Sequence, residues 1–259
     1  MKISYLSDLH LEFGKNRARL IKPKYRKDTG DVLCIAGDLD TLSPDFSYPK
    51  YTMNYLKEMS DKFSRVFIVP GNHEYWGKAW DMEPLSFTHA AKSFSHEILP
   101  RVKVCNNVIE EYNGITFALT TLWSHIDLEI NAFLRSNDHQ WLSNENKPIT
   151  LDEFNFANKV SKDFILASNA DVICTHYVPT FNIMHPAFQI YKNNTMFFNS
   201  GFDMLIDSPH LKTWIFGHAH MINYTKLPAY NGKLLTNPLG YTWCEDLPFK
   251  IGKYIIINK

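Results

Sequence analysis

Five short apolar runs in this chain each stop at a residue type that holds metal ions, and this restricts the possible folds more than any other feature. The runs are Ile3 to Leu6, Val32 to Ala36, Val66 to Val69, Val172 to Cys174 and Trp214 to Phe216. After them come Asp8-Leu9-His10, Gly37-Asp38, Gly71-Asn72-His73-Glu74, Thr175-His176 and Gly217-His218-Ala219-His220. Near-continuous apolar character at this length predicts strands buried on both faces. In open α/β sheets ligands gather outside the carboxyl ends of the strands, so residues from Asp8 to His220 are expected to meet in space.

Between the runs lie patterns of helical period. Leu56, Met59 and Phe63 share a face, as do Phe87, Ala91, Phe94 and Ile98. Ala157, Val160, Phe164 and Ala167 follow a Thr150 to Glu153 spacing that predicts a capping box. Ile115 to Thr120 and Tyr254 to Ile257 read instead as β-branched and aromatic strands without long helices beside them. An α/β layered fold follows, with a mixed sheet or two sheets. Trp123 to Ile149 and Pro179 to His210 break the alternation and are expected to be irregular segments near the site.

Composition excludes several classes. The chain has 259 residues, 45% hydrophobic and 21% charged, as a globular protein should, and one domain over residues 1–259 is expected. Lys plus Arg equals Asp plus Glu at 27 each, so no global field draws nucleic acid or anionic lipid. Asp8 and His10 interrupt the N-terminal apolar stretch before a signal peptide can form, and no run reaches membrane-spanning length. The four cysteines lack C-x-x-C spacing, and a reducing cytoplasm is the expected compartment.

Alone, an Asp-x-His reads as a surface pair, a Gly-Asn-His as a turn, and a His-x-His as a weak hint. Together they form an ordered series using five of the chain's eleven His residues, each at the end of a predicted strand. The period-two alternation of an extended chain would turn both side chains of Asp8-x-His10, and of His218-x-His220, towards one centre. Asp38 has two oxygens with which to bridge two cations, and Gly37 removes a Cβ that would crowd the turn. Thiolate-free His, Asp and Asn ligands favour Mn, Fe, Zn or similar ions. Two of them about 3.5 to 4 Å apart would acidify a bridging water and clamp a phosphoryl oxygen.

These motifs resemble the D-x-H, G-D, G-N-H-[DE], H and G-H-x-H series of the calcineurin-like metallophosphoesterases. The resemblance implies a four-layer α/β/β/α fold of two mixed sheets flanked by helices. It implies that Asp8, His10, Asp38 and His220 bind one divalent metal ion. Asn72, His176 and His218 would join the bridging Asp38 at the second. It also implies that His73 is not a ligand but faces the phosphate and assists the leaving oxygen. The wording of Ser4 to Phe13, Pro70 to Trp76, Thr120 to Trp123, Thr175 to Thr180 and Asn237 to Tyr241 is similar to a branch of small bacterial and phage phosphoesterases.

Departures narrow the activity. The protein Ser/Thr phosphatases have G-D-x-V-D-R-G where this chain reads Gly37-Asp38-Leu39-Asp40-Thr41-Leu42, which disfavours a phosphoprotein phosphatase and leaves Asp40 as the expected partner of His73. Only Met221 to Lys259 follow the last motif, which disfavours a large capped nuclease of the Mre11 type. The expected reaction is hydrolysis of a small or nucleotide-like phosphodiester by metal-bridging hydroxide, with a nucleotide or nucleic acid as a candidate partner. The alternatives are a phosphomonoesterase and a non-catalytic scaffold of the same fold, as in one retromer subunit. A basic run from Lys15 to Lys27 and aromatics from Phe181 to Phe202 are expected to be, respectively, a solvated loop and core packing, with phosphate attraction and base stacking as the rival readings.

Overall fold

The structure is a computed structural model that describes residues 1–21, 30–77, 82–83, 85–127, 130–186 and 202–258. In chain order the elements begin with β1 (Lys2–Leu6), α1 (Gly14–Leu20), β2 (Gly30–Ala36), α2 (Lys50–Lys62) and β3 (Phe63–Val69). There follow β4 (Phe94–Leu99), β5 (Val102–Asn106), β6 (Val108–Tyr112), β7 (Ile115–Thr120), α3 (Ile130–Leu134) and α4 (Asn137–Trp141). The chain continues with β8 (Ser143–Asn144), β9 (Lys147–Pro148), α5 (Leu151–Ala167), β10 (Val172–Thr175), α6 (Asp203–Ile206), β11 (Thr213–Phe216), β12 (Leu234–Thr236) and β13 (Tyr254–Ile256).

Two mixed sheets form the centre, with strand orders β13-β1-β2-β3-β5-β4 and β12-β11-β10-β7-β6. All central pairings are parallel, and only β13, β4 and β6 run antiparallel to their neighbours. Strand alternation divides the apolar runs between layers. Val32, Cys34 and Ala36 of β2 meet Val172, Cys174 and Ile215 between the sheets, while Leu33 and Ile35 face outward onto Leu56 and Met59 of α2. On the far side Ile173, Trp214 and Phe216 pack against Phe202, Ile206 and Leu211. The strands are thus apolar on both faces because each face meets a layer, and helices flank the two sheets.

All the motif-bearing strands end level. Leu6 pairs with Ile35, Ala36 with Val69, and Cys174 with both Leu119 and Ile215, so their following loops leave the same edge of the molecule. The capping box of α5 is present, with Thr150 and Glu153 each accepting from the other's backbone N–H. The buried face of that helix is Phe154, Ala157, Asn158, Ser161 and Ile165, rotated from the expected one, and Ala167 is exposed.

Other expectations are corrected. Phe87 to Ile98 is not a helix: a 3-10 turn over Phe87–Ala91 gives way to the edge strand β4. Lys15, Arg17 and Arg19 lie on α1 rather than in a loop, and Lys22, Lys24, Arg26 and Lys27 lie outside the described residues. Segment 123–149 carries α3, α4 and the β8–β9 hairpin. Phe202 is core and Phe181 packs against it, while Phe188, Tyr191, Phe197 and Phe198 lie outside the described residues. No described helix is long and apolar enough to cross a membrane, and all four cysteines are free, three of them buried.

Candidate metal centre

The motif residues are not on extended backbone, which corrects the period-two argument. Asp8, His10, Asp38 and His218 all adopt left-handed conformations, at φ 53°, 46°, 53° and 64°. Each such turn costs a non-glycine residue roughly 1–2 kcal/mol and persists only where its surroundings enforce it. Here backbone hydrogen bonds do so. Asp8 N–H donates to Gly37 C=O at 3.0 Å and His10 N–H to Asp38 C=O at 2.9 Å, stitching the loops after β1 and β2 together. His218 N–H donates to Asp8 Oδ1 and His73 N–H to Asp38 Oδ1, both at 2.9 Å. Glu74, wholly buried, accepts from Asp38, Leu39 and Gly71 N–H at 2.7 to 3.0 Å, and burial beside Asp38 raises its carboxyl to about 8.

All eight candidate residues are brought together. Three sets of donor atoms lie within 4.8 Å of one another: Asp8, His10 and His220; His10, Asp38 and His73; and Asp38, His176 and His218. Asp38 spans the groups, its Oδ2 3.8 Å from His10 Nε2 and its Oδ1 3.4 Å from His176 Nε2. Asn72 Oδ1 lies 3.0 Å from His176 Nε2. His89, His96, His125, His139, His185 and His210 are in none of these sets.

The donors fit divalent cations. His10 Nδ1 donates to Glu12 Oε1 at 3.0 Å, His220 Nδ1 to Glu245 Oε2 at 2.8 Å and His176 Nδ1 to Ala36 C=O at 2.9 Å. These acceptors occupy Nδ1 and turn each Nε2 inward. Two of those nitrogens, on His10 and His220, face each other at 3.1 Å, and His176 Nε2 lies 3.1 Å from His218 Nδ1. Ring nitrogens gathered at such distances can share a proton or, once deprotonated, a cation. Asp8 Oδ2, buried without a hydrogen-bond partner, favours the cation.

Titration follows the same electrostatics. Burial opposes charge on His220, but Asp8 and Glu245 outweigh it and raise the imidazole to about 10. Burial is likewise overcome at His176 by Asp38, which raises it to about 9. His218 is driven down to about 3 by burial and the adjacent His176.

His73 has a different setting. Its Nδ1 donates to Glu12 Oε1 at 2.7 Å, its ring stacks on Trp76 at 3.7 Å, and Tyr241 Oη lies 3.5 Å from Nε2. The expected partner, Asp40, is elsewhere: its oxygens accept from Thr41 N–H and the Thr52 hydroxyl. Glu12 was within sequence reach, two residues after His10 with the same two-residue step as Asp8. Asp138, which accepts from Asn72 Nδ2 at 2.9 Å and Trp76 Nε1 at 3.0 Å, had no local signal, nor had Glu245 beyond the last motif, whereas Tyr241 closes the Asn237 to Tyr241 stretch already singled out.

A cavity of about 320 Å³ opens over Asp38, His73 and His220, walled by Trp76, Tyr241 and Asp138. Among the described residues no Lys or Arg lines it.

The family model for calcineurin-like phosphoesterases matches residues 1–221. The chain is 30% identical, over 266 aligned positions covering 93% of it and 91% of the relative, to the uncharacterized protein L509 of Acanthamoeba polyphaga mimivirus. Its fold is similar to that of the phosphopantetheinyl hydrolase PptH from Mycobacterium tuberculosis, with a TM-score of 0.58 at 14% identity over 93% of this chain and 89% of that one. The chain belongs to the calcineurin-like phosphoesterases, metal-dependent hydrolases of phosphoric esters.

Proposed function

We propose that the protein hydrolyses a small, nucleotide-like phosphodiester at a centre of two divalent ions of the Mn, Fe or Zn kind. Asp8, His10, Asp38 and His220 would hold one ion, and Asp38, Asn72, His176 and His218 the other. When bound, such ions polarise a phosphoryl group and acidify water. The protein's own part is positional. Glu12, Glu245 and the Ala36 carbonyl aim the histidines, and Trp76 and Tyr241 wall the cavity against water and offer a flat apolar surface to the ester's organic group.

His73 would donate the proton that the leaving oxygen takes. Burial disfavours its charge, but Asp38 and Glu12 more than compensate and raise its pKa, which favours the protonated ring. Trp76 stacking and the Glu12 bond leave Nε2 as the edge turned to the cavity.

The observation that carries the diester reading is the cavity's lack of Lys and Arg among the described residues, together with Asp138 and Glu245 in its wall. A monoester dianion is favoured by cationic side chains beyond the metals, whereas a diester carries one negative charge. Cytoplasmic residence belongs to the same proposal and is supported by four free cysteines. The test compares Mn-loaded protein on bis(p-nitrophenyl) phosphate and p-nitrophenyl phosphate, with Asp38→Asn and His73→Ala as controls. Faster diester cleavage, lost in Asp38→Asn and largely kept in His73→Ala because p-nitrophenolate leaves without protonation, is expected; faster monoester cleavage overturns the diester reading in favour of a phosphomonoesterase.

A further inference from the structure

We infer that Glu12 is a shared positioning residue, one carboxylate oxygen of which holds both a metal ligand and the proton donor. Its Oε1 accepts from His10 Nδ1 at 3.0 Å and from His73 Nδ1 at 2.7 Å. The two rings meet edge to face, with centroids 4.4 Å apart and planes at 67°. Hinged on one atom, both reach the same far point: His10 Nε2 lies 3.8 Å and His73 Nε2 3.9 Å from Asp38 Oδ2. A single acidic side chain therefore sets the distance between the ion held by His10 and the proton delivered by His73.

The surroundings leave Glu12 little freedom. Its side chain is 2% exposed, and Oε2 is buried without a hydrogen-bond partner, so both bonds fall on Oε1. The loop that carries it is pinned on either side, by Leu11 N–H on Leu39 C=O at 2.8 Å and Phe13 N–H on His10 C=O at 3.1 Å. Groups that orient metal-bound histidines typically change affinity or activity by about 10- to 100-fold when removed. Glu12 does this for two rings with different tasks, and so links metal geometry to leaving-group assistance.

This inference rests on the reading of His73 as proton donor, and the experiment separates the two. The phenyl and p-nitrophenyl esters of whichever phosphate class the protein cleaves are compared, because p-nitrophenolate leaves without protonation and phenolate does not. In Glu12→Ala the phenyl to p-nitrophenyl rate ratio is expected to fall about 10- to 100-fold. Glu12→Gln, which keeps a carbonyl oxygen at the Oε1 position, recovers most of it. In a His73→Ala background Glu12→Ala changes the ratio no further. An equal loss on both esters overturns the positioning role, as does a ratio change that persists without His73.

If His73→Ala itself leaves the ratio unchanged, the proton-donor reading fails, and the shared bond is judged by a second readout. Histidine-labelled, metal-free protein is followed by NMR at the Nδ1–H protons of His10 and His73. Glu12→Gln, isosteric and able to fold where the alanine variant does not, is expected to move both signals. Movement of only one, or of neither, overturns the shared oxygen.

Discussion

Asp138 holds Asn72 by its amide nitrogen, Oδ1 to Nδ2 at 2.9 Å, and thereby turns the amide oxygen onto His176. An amide is nearly symmetric in shape but not in chemistry, and only its oxygen can ligate a cation. Asp138→Ala is expected to release the amide and weaken one of two binding events by about 10- to 100-fold, leaving the other intact. Isothermal titration with Mn resolves this, and equal weakening of both events argues against the assignment of Asn72 to a single ion.

Gly71 sits where three loops touch. A Cβ there would lie 2.2 Å from Asp38 Oδ1, 2.6 Å from Asp38 N and 2.8 Å from His176 Cε1. None of these atoms has room to retreat without moving a proposed ligand, so the constraint is steric close approach. Gly71→Ala is expected to lower metal affinity by at least about tenfold, as removal of an outer-shell support does. A variant with unchanged metal content and rate would show that the loops shift freely.

Metal binding should depend on pH with a definite sign. In the metal-free fold His220 titrates at about 10 and His176 at about 9, so ions must displace protons at neutral pH. Affinity is expected to rise with pH, roughly tenfold per unit for each proton released. The metal-free fold itself runs the other way. A histidine pKa raised from 6.5 to about 10 contributes stability fully present below about 6.5 and lost as pH rises through about 10. Melting temperatures without metal should fall over that window, and a rise would contradict the ion pairing of His220.

Asp40 bonds Thr41 and Thr52 rather than His73 and is expected to take no part in catalysis. Burial and the nearby Glu12 raise its carboxyl to about 7. Asp40→Asn is expected to leave kcat within about twofold and to raise stability by an amount that grows from about pH 4, where the unfolded carboxyl ionises, to about pH 7 and is constant above it. Parallel rate assays and urea titrations suffice, and a large fall in kcat would restore Asp40 as the orienting group.

The strands and the ligand identities were legible for the same reason. A strand covered on both faces must be apolar throughout, and a cation requires particular donors, so Val32 to Ala36 and the Gly37-Asp38 after it announce themselves in one dimension. Phe87 to Ile98 misled because its apolar spacing fits a helix, while the β4 half is an edge strand with Ser95, His96 and Glu97 exposed.

Chain order by itself determined which strands are buried, which loops converge and which donor atoms are available, because these depend on local pattern and on ligand chemistry. Tertiary structure alone decided how the donors point. Asp8, His10, Asp38 and His218 are bent into left-handed turns by hydrogen bonds between separate loops, a conformation their own sequence does not favour. Asp138 and Glu245 orient Asn72 and His220 from 66 and 25 positions away along the chain. An orienting hydrogen bond needs only a carboxylate oxygen within 3 Å, and any loop can bring one, so it leaves no spacing in the sequence to read.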